Sequence, residues 1–282
     1  MKMVFLLGTL VSLSANSEVV RAAAEPFENL FAEASANGPC RVQRARSNGT
    51  TYYVPTDPRN KNARFHILGW GNGTGMLPSG YSKVLESIAS HCILVAAANT
   101  QNAGSGKEIQ NAVTSARSRY ATKVFSSPRV CTSGHSQGGG GSFNAANLLK
   151  ANCVIPVQAD TVYTARVQKP LSANVEVIAL WGSADGIAPA DPSNLDNLDR
   201  NSSILSSVEI SGENHFTITS SRGGNIGTLF RMAAKAQLSP DSRVSSRFRQ
   251  AFWGPETQAT VSTRFQQISD VDRDSGAVDA AP

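Results

Sequence analysis

Val130-Cys131-Thr132-Ser133-Gly134-His135-Ser136-Gln137-Gly138-Gly139-Gly140-Gly141 is the stretch around which the rest of the chain reads. Residues 129–133 form a short run read as a strand. Gly134-x-Ser136-x-Gly138 then fits G-x-S-x-G, the nucleophile elbow, in which a strand ends at a sharp turn and a serine hydroxyl stands clear of the sheet. Side chains at the flanking positions would collide with the backbone of such a turn, which explains the glycines. Four consecutive glycines, Gly138 to Gly141, open the helical pattern that follows, read over 142–150. Each costs about 1 kcal/mol of helix propensity relative to alanine, a penalty that implies a helix pressed close against the sheet.

The pattern to either side is one of alternation. Strands are expected at 50–55, 65–70, 92–98, 153–157, 175–181 and 208–211, and helices at 25–38, 81–91, 108–125 and 226–236. The run Cys92-Ile93-Leu94-Val95-Ala96-Ala97-Ala98 is apolar throughout, as in a strand buried on both faces. Strands alternating with helices predict an α/β fold: a doubly wound, mostly parallel sheet with helices on both faces. With the elbow, this becomes the α/β-hydrolase architecture without a large lid. Ligands in such folds bind beyond the carboxyl ends of the strands. One catalytic domain over 25–254 is expected, and the polar, acidic segment 255–282 reads as a peripheral, partly disordered tail.

A serine hydroxyl is a poor nucleophile until a base removes its proton, and the base needs an acid to orient it. In this architecture the chain order is serine, acid, histidine. Of His66, His91, His135 and His215, only His215 follows Ser136. His66 and His91 read as structural. Asp185 closes the run Val-Ile-Ala-Leu-Trp-Gly-Ser-Ala-Asp directly after a strand and is the expected acid, with Asp160 as competitor. Oxyanion donors are expected at the N–H of Gln137 and, from the Gly71–Gly75 loop, of Thr74. His135 beside the nucleophile and Phe216 after the base are expected to line the substrate groove. Gly104-Ser105-Gly106-Lys107 lacks the rest of a Walker pattern, Gly71-x-Gly73 lacks the third dinucleotide-fingerprint glycine, and no histidine pair suggests a metal. Chemistry without metal or cofactor is therefore expected.

The chain has 282 residues, 40% hydrophobic and 17% charged, which is globular composition. Its net charge of +5 is scattered rather than clustered, so a nucleic-acid partner is not expected. Met1-Lys2-Met3, an apolar run of about ten residues and then small residues read as a signal peptide over 1–24, cleaved after Ser17 or Ala24. A buried N-terminal helix is the alternative. The run is too short to span a bilayer, which needs about 20 residues. A secreted protein, extracellular or periplasmic, monomeric and without a membrane span, is the expectation. Four cysteines fit two disulfides in such a compartment, or four buried thiols. Because Cys131 and Cys153 fall on expected neighbouring strands, the pairs Cys131–Cys153 and Cys40–Cys92 are favoured.

Over roughly residues 37–220 the chain resembles the secreted cutinase-like polyester hydrolases, including the poly(ethylene terephthalate) hydrolases. The likeness rests on Gly38-Pro39, Thr51-Tyr52-Tyr53, Ile88-Ala89-Ser90-His91, the elbow with its glycine run, Asp185-x-Ile187-Ala188-Pro189 and His215-Phe216. It implies a Ser136–Asp185–His215 triad, oxyanion donors at Gln137 and Thr74, and an ester or polyester substrate. Three features depart from it. Gln137 stands where the family usually has methionine, no tryptophan occurs within 157–160, and the Gly71–Gly75 loop lacks a bulky aromatic. With them, short-chain esters and aliphatic polyesters are expected to be cleaved more readily than aromatic ones. The alternatives are a serine peptidase or amidase, a lidded lipase with the same triad, or a triad-bearing interaction protein without catalysis.

Overall fold

The computed structural model describes residues 25–253 and the backbone of 265–270. The expected signal peptide, 1–24, and most of the expected tail lie outside the described residues. A nine-stranded sheet runs through the described chain. Its strands are β1 (Arg41–Ser47), β2 (Thr50–Thr56), β3 (Ile67–Gly71), β4 (Leu94–Ala98), β5 (Val130–His135), β6 (Cys153–Val157), β7 (Glu176–Gly182), β8 (Ile204–Ile210) and β9 (Phe265–Asp270). They lie in the order β1-β2-β4-β3-β5-β6-β7-β8-β9. From β4 through β8 all neighbours are parallel, while β1, β2 and β9 add antiparallel strands at the two edges.

Two apolar layers cover the sheet, because side chains alternate between its faces. Leu68 and Trp70 of β3 pack with α1 (Phe27–Ser35), α2 (Ser82–Ser90), α6 (Gly224–Leu238) and α7 (Ser242–Trp253). Ile67 of the same strand packs on the opposite layer, with α3 (Lys107–Arg119), α4 (Gln137–Leu149) and α5 (Leu195–Arg200). The α/β expectation of a mostly parallel sheet between helices is met. No helix among the described residues is long and apolar enough to cross a membrane.

Both favoured disulfides are formed. Cys131–Cys153 joins β5 to β6 at positions directly opposite in register, and Cys40–Cys92 ties the entrance of β1 to the turn before β4.

Several elements differ from the sequence reading. β8 begins at Ile204, four residues before its expected start, because Ser206 and Ser207 are wholly buried polar residues that hide the strand pattern. The hydroxyl of Ser207 accepts from the Trp181 indole N–H at 2.9 Å. α3 stops at Arg119, well short of 125, because Val124 instead forms a parallel bridge to Phe65. The α4 helix starts immediately after Ser136 and includes all four glycines. Within the segment read as a peripheral tail, 265–270 pairs with β8 as an edge strand.

Candidate active site

Strand order reverses at β3, which is flanked by β4 on one side and β5 on the other. Such a switch point opens a crevice outside the carboxyl ends of the strands. Two segments meet there: the loop after β3 and the turn between β5 and α4.

Ser136 is the residue of that turn. Its backbone sits at φ 54°, ψ −121°, a conformation costing on the order of 1–3 kcal/mol for a residue with a side chain. The surroundings over-determine it. Its N–H donates to the Val157 carbonyl at 3.2 Å, and its own carbonyl accepts from the N–H groups of Gly139, Gly140 and Asp160 at 2.9–3.2 Å. The glycine run has the reason expected of it. A Cβ on Gly138 would strike the Gly71 carbonyl, one on Gly140 the Asp160 carbonyl, and one on Gly141 the Ala103 carbonyl. The helix thus lies against the backbone of three neighbouring loops and leaves Ser136 half-buried rather than sealed.

Asp185 and His215 leave the adjacent strands β7 and β8. Nδ1 of His215 lies 2.8 Å from Oδ2 of Asp185, with both side chains nearly inaccessible. Oδ1 of Asp185 accepts the N–H groups of Ile187 and Ala188, each at 2.9 Å. Burial by itself would raise the Asp185 carboxyl. The hydrogen bonds from His215, Ala188 and Ile187 outweigh it and hold the carboxyl below its ordinary range. An ionised carboxylate only accepts, so Nδ1 of His215 carries a proton and donates it to Asp185 Oδ2.

Asp160, the competing acid, is engaged elsewhere. Its carboxylate accepts the N–H groups of Val162, Tyr163 and Thr164 and the Thr164 hydroxyl, closing the loop after β6.

His135 does not line a groove, contrary to expectation. It is 2% exposed, with Nδ1 2.9 Å from the Tyr81 hydroxyl and Nε2 2.8 Å from the His215 carbonyl. Its side chain points inward because residues alternate along β5, and the next residue, Ser136, turns out. Phe216 is 56% exposed, and its ring meets the His215 ring edge-on at 5.4 Å. Gln137 is the first residue of α4, so its N–H has no intrahelical acceptor. Its side chain is buried and ties two loops together, accepting from Ala103 N at 3.0 Å and donating to Thr164 O at 3.4 Å. In the loop after β3 the residue packed against the elbow is Gly73, where a Cβ would lie 3.4 Å from Ser136 Cβ. Thr74 follows it and is exposed.

Three residues near the site were not read from the sequence. Gln158, wholly buried at φ 45°, donates to Asp185 Oδ2 at 3.3 Å and to the Asn214 carbonyl at 2.7 Å. Its signal in sequence is only a polar residue ending an apolar strand. Tyr81 reaches the elbow from the turn before α2. Tyr163, 81% exposed, stands on the loop held by Asp160, next to the segment where the tryptophan is lacking. With Ile187 and Phe216, both exposed, it adds apolar surface at the carboxyl ends of the neighbouring strands β6, β7 and β8.

Among the described residues, Cys40, Cys92 and Asp57 bring potential metal-ligand atoms within 4.8 Å of one another. Both sulfurs are held in a disulfide, which leaves no thiolate to bind a metal.

The chain matches no family model and no curated protein.

Proposed function

We propose that the protein is a secreted serine carboxylic-ester hydrolase with the α/β-hydrolase architecture, similar to the cutinase-like polyester hydrolases. The observation that carries this reading is the conformation of Ser136. Ser136 is held at φ 54° between a parallel strand and a helix, beside a switch point of the sheet, the backbone arrangement in which a nucleophile elbow carries its hydroxyl clear of the strands. In the loop after β8, at the same edge of the sheet, stands a histidine whose Nδ1 meets a buried carboxylate from the loop after β7.

In this reading His215 Nε2 takes the Ser136 proton as Oγ attacks the ester carbonyl. The tetrahedral oxyanion is held by the N–H groups of Gln137 and Thr74. Its collapse expels the alcohol, to which His215 returns the proton, and leaves an acyl-serine. Water attacks that ester with His215 again as base, releasing the carboxylic acid and restoring Ser136.

Short-chain esters and aliphatic polyesters are the proposed substrates. Tyr163, Ile187 and Phe216 offer exposed apolar surface beside the triad for a polymer segment. Two disulfides suit an oxidising compartment, and export is proposed on that ground.

The deciding experiment is a panel of p-nitrophenyl esters of increasing acyl length, with polyester films, a matched anilide and a fluorophosphonate probe. Hydrolysis of the short esters and labelling of Ser136 are expected. Faster cleavage of the anilide would make the protein an amidase. Preference for long acyl chains with interfacial activation would make it a lidded lipase. No labelling and no turnover would leave the reading without support.

A further inference from the structure

Four residues from four separate segments join the loop after β3 to the histidine base. The Gly73 N–H lies 3.1 Å from the Tyr81 hydroxyl, which lies 2.9 Å from His135 Nδ1. His135 Nε2 lies 2.8 Å from the carbonyl of His215. The chain has only one consistent arrangement of protons. A backbone N–H can only donate and a carbonyl can only accept. Gly73 therefore donates to Tyr81 Oη, and His135 Nε2 donates to His215 O. A neutral imidazole has a single N–H, so Nδ1 is an acceptor and the Tyr81 hydroxyl donates to it. His135 is neutral because burial pushes its pKa down to about 3, helped by the neighbouring His215.

We propose that Tyr81 and His135 are positioning residues, a buried relay that holds the oxyanion loop, the elbow and the base in one fixed arrangement. This rests on the hydrolase reading above. The geometry supports it at each end. Gly73 precedes Thr74, the proposed second oxyanion donor, and has no room for a side chain. A Cβ there would lie 3.0 Å from His135 Nδ1 and 3.1 Å from Tyr81 Oη. His135 directly precedes Ser136, and its ring lies 4.5 Å from the His215 ring. Tyr81 is 1% exposed and fixed edge-on against Trp70 at 5.1 Å, so its hydroxyl cannot wander. Neither Tyr81 nor His135 reaches the surface, so they act through Gly73 and His215. Without the Tyr81 hydroxyl, the Gly73 N–H and His135 Nδ1 both lose their partner, so the loop and the imidazole are tied only through the Nε2–H bond to the His215 carbonyl and can shift relative to one another. Misplacing a catalytic group by about 1 Å can cost about 100-fold in rate.

The test is a double-mutant cycle on the full chain with p-nitrophenyl acetate, using Tyr81→Phe, His135→Phe and the double variant. His135→Gln serves as the conservative replacement, because its amide retains a donor and an acceptor. Tyr81→Phe is expected to lower kcat about tenfold with KM within about twofold, the loss of one positioning hydrogen bond. His135→Phe should lower kcat further, and the double variant should be no worse than His135→Phe alone. His135→Gln should recover much of that loss. In the wild type a slowly exchanging His135 Nε2–H resonance should be visible by 15N-resolved NMR, and it should weaken in Tyr81→Phe. A kcat for Tyr81→Phe within twofold of wild type, or losses that multiply in the double variant, would overturn the relay. So would a loss confined to KM. If His135→Phe does not fold, the cycle of Tyr81→Phe with His135→Gln decides in the same way. Failure of the parent reading looks different. The wild type itself would then neither turn over the ester nor label at Ser136, and the catalytic role of the relay would fall with it.

Discussion

His215 Nδ1 donates to Asp185 Oδ2 over 2.8 Å, although the two residues stand 30 positions apart on loops from different strands. β7 and β8 are parallel neighbours, so the loops leaving them emerge side by side at the same edge of the sheet. Gln158, from the loop after β6, donates to the same carboxylate oxygen and to the carbonyl of Asn214. Three successive strand ends thus converge on a single oxygen pair.

Removal of the proposed nucleophile should abolish the proposed esterase activity without unfolding the protein. Ser136→Ala is expected to lose on the order of 10⁶ in kcat, because the members of a triad act as a unit. Circular dichroism and thermal unfolding should match the wild type or show slight stabilisation, since alanine leaves the turn no more strained than serine does. Retained turnover in pure variant protein would remove Ser136 from the site.

The two aspartates should separate cleanly. Asp185→Asn is expected to cost about 10⁴ in kcat, because an amide can donate to His215 Nδ1 and favour the wrong tautomer. Asp160→Asn should act on stability instead, weakening the acceptor for three backbone N–H groups and one hydroxyl. A cost of about 1–3 kcal/mol is expected there, read as a lowered denaturant midpoint with kcat nearly unchanged. The opposite division of effects would transfer the acid's role to Asp160.

Gln158 should matter to rate although it carries no proton in the reaction. Gln158→Leu takes from the Asn214 carbonyl its amide donor and from Asp185 Oδ2 one of two donors, leaving His215 Nδ1 as the other. A fall in kcat of about tenfold with little change in KM is expected, the equivalent of about 1.4 kcal/mol. Gln158→Glu should be worse than Gln158→Leu, because a second carboxylate would face Asp185. Equal activity of all three proteins would show that the clamp has no catalytic consequence.

Acid should destabilise the fold earlier than its carboxylates alone require. Burial lowers the pKa of His66 to about 4, aided by Arg129, and of His91 and His135 to about 3. Unfolded, these histidines titrate near 6.5. The unfolded state therefore binds more protons between about pH 6.5 and 4, and stability is present above that range and lost as pH falls through it. Each histidine adds up to about 1.4 kcal/mol per pH unit within it. Asp185, Asp160 and Glu176, all held below their ordinary values, extend the loss at still lower pH. The melting temperature should fall steadily from pH 6.5 to 4, and less steeply in His91→Gln. A melting temperature constant from pH 7 to 5 would mean that these histidines are charged in the folded state.

Residues 130–141 carried the decisive information in one dimension. A strand, a serine flanked by glycines and a glycine-rich helix start are local features, legible because backbone sterics are local. The pairing of Asp185 with His215 could be anticipated too, since only one histidine follows the elbow and Asp185 closes the strand before it. Cys131 and Cys153 could be paired because adjacent parallel strands bring matching registers together.

Tertiary structure alone decided what surrounds those residues. The direction of His135 depends on which face of β5 turns inward, and no local pattern distinguishes a histidine that lines a groove from one that holds a carbonyl. Gln158 and Tyr81 acquire partners 27 to 56 and 8 to 54 positions away, and sequence carries no signal for such pairings. Ser206 and Ser207 fell outside the expected strand 208–211, and only the assembled sheet shows them wholly buried. Local sterics wrote the elbow, whereas the satisfaction of buried polar groups, a property of the assembled core, chose the residues that hold it in place.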